Sequence, residues 1–126
     1  MNDRELFEKA LEMLDFSYAP FSKFRVGTAV LAKDGRVFTG CNVENSSFGG
    51  TICAERTAIC KAVSEGAREF EKIAIVSSAG EAWPCGICRQ FMKEFCDDDF
   101  EIITGNDVDN LRKYTMKEIL PEGFKL

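Results

Sequence analysis

Helical and strand periodicities alternate along the whole chain, and that alternation leaves few architectures open. Residues 3–16 place Leu6, Phe7, Ala10, Leu11, Met13 and Leu14 on one side of a helix, with Asn2 or Asp3 as its cap. Ser17 to Ser22 breaks it, because Pro20 disfavours helix before it. Residues 25–32 and 36–42 read as two strands joined at Lys33-Asp34-Gly35, and Asp-Gly is a strong hairpin signal. A polar, glycine-bearing loop (43–52) leads to a second helical pattern at 53–65 that stops at Gly66. Ile73-Ala74-Ile75-Val76, within 70–78, is a short apolar run of the kind that forms a buried central strand. A loop to Pro84, a third helix at 85–96, a strand at 100–104, a weaker strand at 113–116 and a closing helix at 116–120, stopped by Pro121, complete the order. Such an order predicts a five-stranded sheet with helices on its faces, partly parallel, with right-handed crossovers.

At 126 residues, 45% of them apolar, the chain is expected to be one domain (1–126) that needs no disulfide staples. Its 21 Asp and Glu outnumber 16 Lys and Arg, a net charge of −5. A phosphate backbone repels such a chain, so a nucleic acid polymer is excluded as partner and a small neutral or cationic substrate fits better. No apolar run approaches the roughly 20 residues of a membrane helix. The N-terminus is charged from Asp3 onward, unlike a signal peptide. The expected compartment is the cytoplasm, where thiols stay reduced, so the cysteines read as metal ligands or core packing. There is no histidine, against six cysteines. Ser-His-Asp and Cys-His nucleophiles, histidine bases and histidine ligands are therefore ruled out, and a metal site must use sulfur and carboxylate.

Two motifs carry chemistry. In Cys85-Gly86-Ile87-Cys88, preceded by Pro84, a turn entering a helix puts two sulfurs on one side, as in sites where zinc takes four ligands at about 2.0–2.3 Å. The positive end of the helix favours thiolate there. The same spacing suits a redox pair or two core cysteines, although the motif comes late in the chain, not after a first long strand as in a thioredoxin-like order. Cys53-Ala54-Glu55 opens the second helix: Cys53 offers a third sulfur, and Glu55 can reach the open position of the metal. Three protein ligands and one open position is the catalytic pattern for zinc. Cys41, Cys60 and Cys96 are candidates for a fourth ligand in a closed site, but each reads more simply as a small buried hydrophobe. Three thiolates on one Zn²⁺ leave a net negative centre. Arg56 and Arg89 are placed to donate to the sulfurs, the alternative for each being a solvated surface arginine.

Cys53-Ala54-Glu55 with Pro84-Cys85-x-x-Cys88 resembles the zinc deaminase signature in its three-cysteine version. The segments Tyr18 to Gly27, Gly40 to Asn45, Cys53 to Ala58 and Pro84 to Gln90 are together similar to the small homotetrameric cytidine deaminases, and the likeness runs from the first helix to Phe124. It implies a three-layer α-β-α fold of class α/β with a mixed five-stranded sheet. It also implies hydrolytic deamination of cytidine and 2′-deoxycytidine with release of ammonia, one Zn²⁺ per subunit, and a homotetramer whose sites are shared. By the resemblance Cys53, Cys85 and Cys88 bind zinc and Glu55 shuttles protons. Asn42 and Glu44 hold the ribose hydroxyls, Phe24 packs on the base, and the Ala54 N–H binds a pyrimidine oxygen. Phe48 and Phe124 are lent to a neighbouring subunit; the family often has Tyr where this chain has Phe48. Related readings are a deaminase of another aminopyrimidine such as blasticidin S, a polynucleotide cytosine deaminase, which the acidic balance opposes, and a structural zinc module with a fourth protein ligand and no turnover.

Overall fold

A computed structural model describes residues 1–126. Helix α1 (Asp3–Glu12) starts in a capping box: Asn2 Oδ1 accepts from the Glu5 N–H at 2.8 Å, and Glu5 Oε1 from the Asn2 N–H at 3.0 Å. Residues 13–16, expected to continue it, tighten into a 3₁₀ turn instead, a common way for a helix to end before a break such as Ser17 to Pro20. Next come β1 (Val26–Ala32), β2 (Val37–Cys41), α2 (Ala54–Ser64), β3 (Phe70–Ser77), α3 (Gly86–Lys93), β4 (Glu101–Gly105), β5 (Leu111–Thr115) and α4 (Met116–Ile119). The third helix is shorter than its expected 85–96. The last strand lies earlier than expected because Thr115 leaves it to cap α4, accepting from the Glu118 N–H.

The five strands form one sheet in the order β2-β1-β3-β4-β5. β1 is antiparallel to both neighbours, so β2 and β3 run the same way and α2 connects them across it; β3 and β4 pair in parallel, and β4 and β5 antiparallel. Side chains of β3 alternate between the two faces, and both faces are covered, which accounts for its unbroken apolar run. Ala74 and Val76 join Leu6, Phe7 and Ala10 of α1, whereas Ile73 and Ile75 join Ile59, Met92, Phe100 and Met116 on the side of α2, α3 and α4. Three layers result.

Close approach of α2 to the sheet depends on a missing side chain. A Cβ at Gly40 would stand 2.5 Å from the Ala54 carbonyl oxygen and 2.6 Å from the Ala58 nitrogen, inside van der Waals contact. Beside it, buried Thr28 donates its hydroxyl to that same Ala54 oxygen at 3.0 Å. Because α2 and α3 follow β2 and β3, which point the same way, both helices begin at one edge of the sheet, where α/β folds hold their sites. Of the cysteines expected in the core, Cys41 and Cys96 are buried, and burial pushes both thiols up. Cys60 is not buried. The inward stripe of α2 runs through Glu55, Ala58, Ile59 and Ala62, and Cys60 lies off it, exposed.

One half-buried ion pair ties α1 to the sheet. Lys72 of β3, 9% exposed, places Nζ 2.7 Å from Asp3 Oδ1, and Lys113 of β5 places its own 3.0 Å from Oδ2. Burial alone would raise the Asp3 pKa, but the two ammonium groups outweigh it and hold the carboxyl below its ordinary value of 3.8. A carboxylate depressed in the folded state stabilises above its unfolded pKa, and that stability is lost as pH falls through the folded one. Asp3→Asn leaves Lys72 without its counter-ion and is expected to cost about 1–3 kcal/mol at pH 7. Urea melts of both proteins should differ at neutral pH and converge as the pH drops through and below the carboxylate range. Gly40→Ala is expected to cost about 1–3 kcal/mol by overpacking at the start of α2, measured as the midpoint shift of urea melts.

Candidate metal centre and substrate pocket

Cys53 and Cys85 are the N-cap residues of α2 and α3, both in extended backbone (φ −70°, ψ 154° and φ −69°, ψ 168°), and Cys88 sits in the first turn of α3. The three Sγ atoms lie within 4.8 Å of one another, and those of Cys53 and Cys85 are 3.8 Å apart. Zinc–sulfur bonds of about 2.3 Å in a tetrahedron put sulfurs about 3.8 Å apart, so the donor set fits zinc in number, type and spacing. No fourth cysteine joins them, which leaves one position open.

Arg56, one turn into α2, brings Nη2 to 3.3 Å from Cys53 Sγ. Hydrogen bonding from Cys88, and then from Arg56 and Cys85, lowers the Cys53 thiol to about 5, whereas Cys88, fully buried and sharing its proton with Cys53, is pushed up. Glu55 is 4% exposed; burial pushes its carboxyl up to about 7, and the negative charge of Cys53 adds to the shift. The group therefore holds a transferable proton near neutrality.

Glu55, Cys53, Cys85 and Ala54 form one end of a cavity of about 420 Å³. Ser22, Asn42 and Glu44 also line it, Val26 and Ile75 come from the sheet, and Phe24 and Trp83 are its large rings. Glu44 accepts from the Phe21 N–H (2.9 Å), the Ser22 N–H (3.1 Å) and the Ser22 hydroxyl, bonds that hold its carboxylate below the usual range. Asn42 is 8% exposed: its Oδ1 accepts from the Val26 N–H at 2.9 Å and from the Ser17 hydroxyl, and its Nδ2 donates to the Phe24 oxygen at 2.8 Å. Much of the amide's capacity thus goes to fixing the loop that carries Phe24.

The structure brings Cys53, Cys85, Cys88, Glu55, Ala54, Asn42, Glu44 and Phe24 together. Phe48 and Phe124 stand outside the cavity. Phe48 packs edge-on against Phe21 at 5.5 Å and is 74% exposed; Phe124 lies over α3, its backbone held by Gln90, and is 63% exposed. Arg89 departs from the expected contact with sulfur. One residue beyond Cys88, the helical turn swings it away, and its guanidinium donates to the Pro84 oxygen at 2.8 Å and the Ile119 oxygen at 2.9 Å, tying α3 to α4. Trp83, Glu81 and Thr51 line the cavity without having been singled out in the sequence. The only tryptophan of the chain, one Pro away from Cys85, was the available signal.

Residues 1–104 match the family model described as "Cytidine and deoxycytidylate deaminase zinc-binding region". A cytidine deaminase of Halalkalibacterium halodurans is 43% identical over 125 residues, which cover 98% of this chain and 95% of that protein. A probable cytidine deaminase of Dictyostelium discoideum is 44% identical over 129 residues, covering 98% and 86%. Among solved structures, the cytidine deaminase of Burkholderia pseudomallei superposes with a TM-score of 0.92 at 41% identity, covering 98% of this chain and 100% of that one. The sulfur triad at paired helix starts, the buried glutamate beside it and likeness along nearly the full length agree: the chain belongs to the cytidine and deoxycytidylate deaminase family.

Proposed function

We propose that the chain, acting over residues 1–126 as one catalytic unit, hydrolyses cytidine and 2′-deoxycytidine to uridine and 2′-deoxyuridine with release of ammonia, as a step of pyrimidine salvage in the cytoplasm. The observation that carries this reading is the placement of three convergent sulfurs and one buried, proton-bearing carboxyl at the end of a nucleoside-sized cavity. Cys53, Cys85 and Cys88 would hold a zinc ion, which would supply Lewis acidity at the C4 end of the cavity. Glu55 donates its proton to N3 of the base, which makes C4 electrophilic; as the oxygen of a water bonds to C4 and the C4–N bond breaks, one proton of that water passes through Glu55 to the departing amine and the other restores the Glu55 carboxyl. The Ala54 N–H, at the start of α2, binds the pyrimidine oxygen, and Phe24 packs on the ring. Glu44 and the free capacity of Asn42 take the ribose hydroxyls. The guanidinium of Arg56 withdraws charge from Cys53 and so keeps a centre with three thiolates electrophilic.

Phe48 and Phe124 act across subunits in a homotetramer. Their exposure supports this, as does an apolar groove that Phe124 and Leu126 form with Ile87, Phe91 and Phe95. No helix is long and apolar enough to cross a membrane.

Loss of cytidine absorbance on mixing with enzyme tests the activity directly. Glu55→Gln is expected to keep zinc at one per chain while kcat falls by a factor of about 10²–10⁴ or more; a fully active Glu55→Gln enzyme overturns the assignment. Removing residues 122–126 is expected to raise KM or to shrink the assembly seen by sedimentation, and the shared-site reading is wrong if both stay unchanged.

A further inference from the structure

The segment between β3 and Cys85 is tied down residue by residue. Gly80 adopts φ +99°, which a glycine tolerates, and the Glu81 N–H donates to Asn106 Oδ1 at 3.0 Å. The Ala82 N–H donates to Thr104 Oγ1 at 3.0 Å, and that hydroxyl donates back to the Ala82 oxygen at 2.8 Å. Trp83 follows, held by rings and charge. The Tyr114 ring lies 4.6 Å from it, centroid to centroid, and the Arg112 guanidinium lies 5.8 Å from the indole and 5.5 Å from the Tyr114 ring. Arg112 is fixed in turn by Glu81, whose two carboxylate oxygens are 3.1 and 3.2 Å from Nη1. Such ring and cation–π contacts set the orientation of an indole that is still 41% exposed and lines the cavity with Glu55 and Cys85.

We propose that Trp83 determines specificity at the C5 edge of the base, and that Arg112 and Tyr114 of β5 position its ring. The inference rests on the cytidine reading above. In a cytosine whose C4 faces the sulfurs, N3 and C5 flank C4 on opposite edges. Glu55, on α2, serves N3, so the C5 edge turns away from α2 towards segment 81–85. Trp83 is the one aromatic side chain of that segment and stands two residues from Cys85. Its indole closes the space that a C5 substituent would occupy, and an apolar wall discriminates against a single added methyl by about 10–200-fold.

The experiment compares kcat/KM for cytidine and 5-methylcytidine in the wild-type zinc enzyme and in the Trp83→Ala and Arg112→Gln variants, with zinc per chain measured for each. The wild-type enzyme is expected to favour cytidine. Trp83→Ala should raise the 5-methylcytidine-to-cytidine ratio about tenfold or more, and Arg112→Gln should raise it in the same direction by less, because it loosens the ring without removing it. A loss of activity from general damage lowers both substrates together and leaves the ratio alone, so the ratio separates specificity from structure. If Trp83→Ala does not fold, the Arg112→Gln ratio decides. A wild-type enzyme that turns over cytidine, with a ratio unchanged in the variants that fold, overturns the role of Trp83 alone; a wild-type zinc protein inert towards cytidine overturns the proposed function, and this inference with it.

Discussion

Three sulfurs within 4.8 Å of one another cannot all carry negative charge without compensation, and the architecture is arranged around that electrostatic demand. Two sources of positive potential meet at the site: the N-terminal ends of α2 and α3, and the guanidinium of Arg56. Neither helix end can serve unless the two helices start side by side. That requires β2 and β3 to point the same way with β1 between them, and it requires α2 to lie against the sheet more closely than any side chain at position 40 would allow. Gly40 and Thr28 are remote from the chemistry in the ordinary sense, yet they set where Cys53 and Glu55 stand.

The protonation pattern shows the same compensation in progress. Hydrogen bonds from Cys88, Arg56 and Cys85 lower the Cys53 thiol to about 5. Cys88, fully buried, keeps its proton. A cation entering the triad would meet the Cys53 thiolate already formed and would displace the proton of Cys88, which makes metal affinity pH-dependent.

Much of this was legible in the chain, for reasons that differ by element. β3 could be read because a strand buried on both faces must be apolar throughout, and the hairpin because Asp34-Gly35 demands a tight turn. The sulfur triad was legible because Cys85 and Cys88, spaced for a shared ligand at one helix start, have a third sulfur available in Cys53 at another, although the spacing alone also suits a redox pair or core cysteines. What the sequence hid was set by tertiary context. The fate of Cys60 depended on the rotation of α2 by a fraction of a turn, and that of Arg89 on which carbonyls α4 would present to it. The wall formed by Glu81 and Trp83 was invisible because Arg112 and Tyr114, which orient it, lie some 30 residues away on a strand whose own periodicity is weak.

Two carboxylic acids in one cavity are tuned in opposite directions by surroundings alone. Glu44 sits at the more open end, where two backbone N–H groups and the Ser22 hydroxyl donate to it; those bonds favour the anion, so it remains an acceptor, as the proposed recognition of hydroxyls needs. Glu55 sits at the sulfur end, 4% exposed beside a thiolate, and both influences favour the neutral acid, as the proposed proton delivery needs. Exchanging the environments would disable both groups: a protonated Glu44 would lose acceptor capacity, and a fully ionised Glu55 would add a second negative charge beside the Cys53 thiolate. The division of labour therefore follows from the fold, which buries the first turn of α2 and leaves the loop after β2 within reach of solvent. It also explains how a chain without histidine holds a group that titrates near 7 where the proposed chemistry requires one.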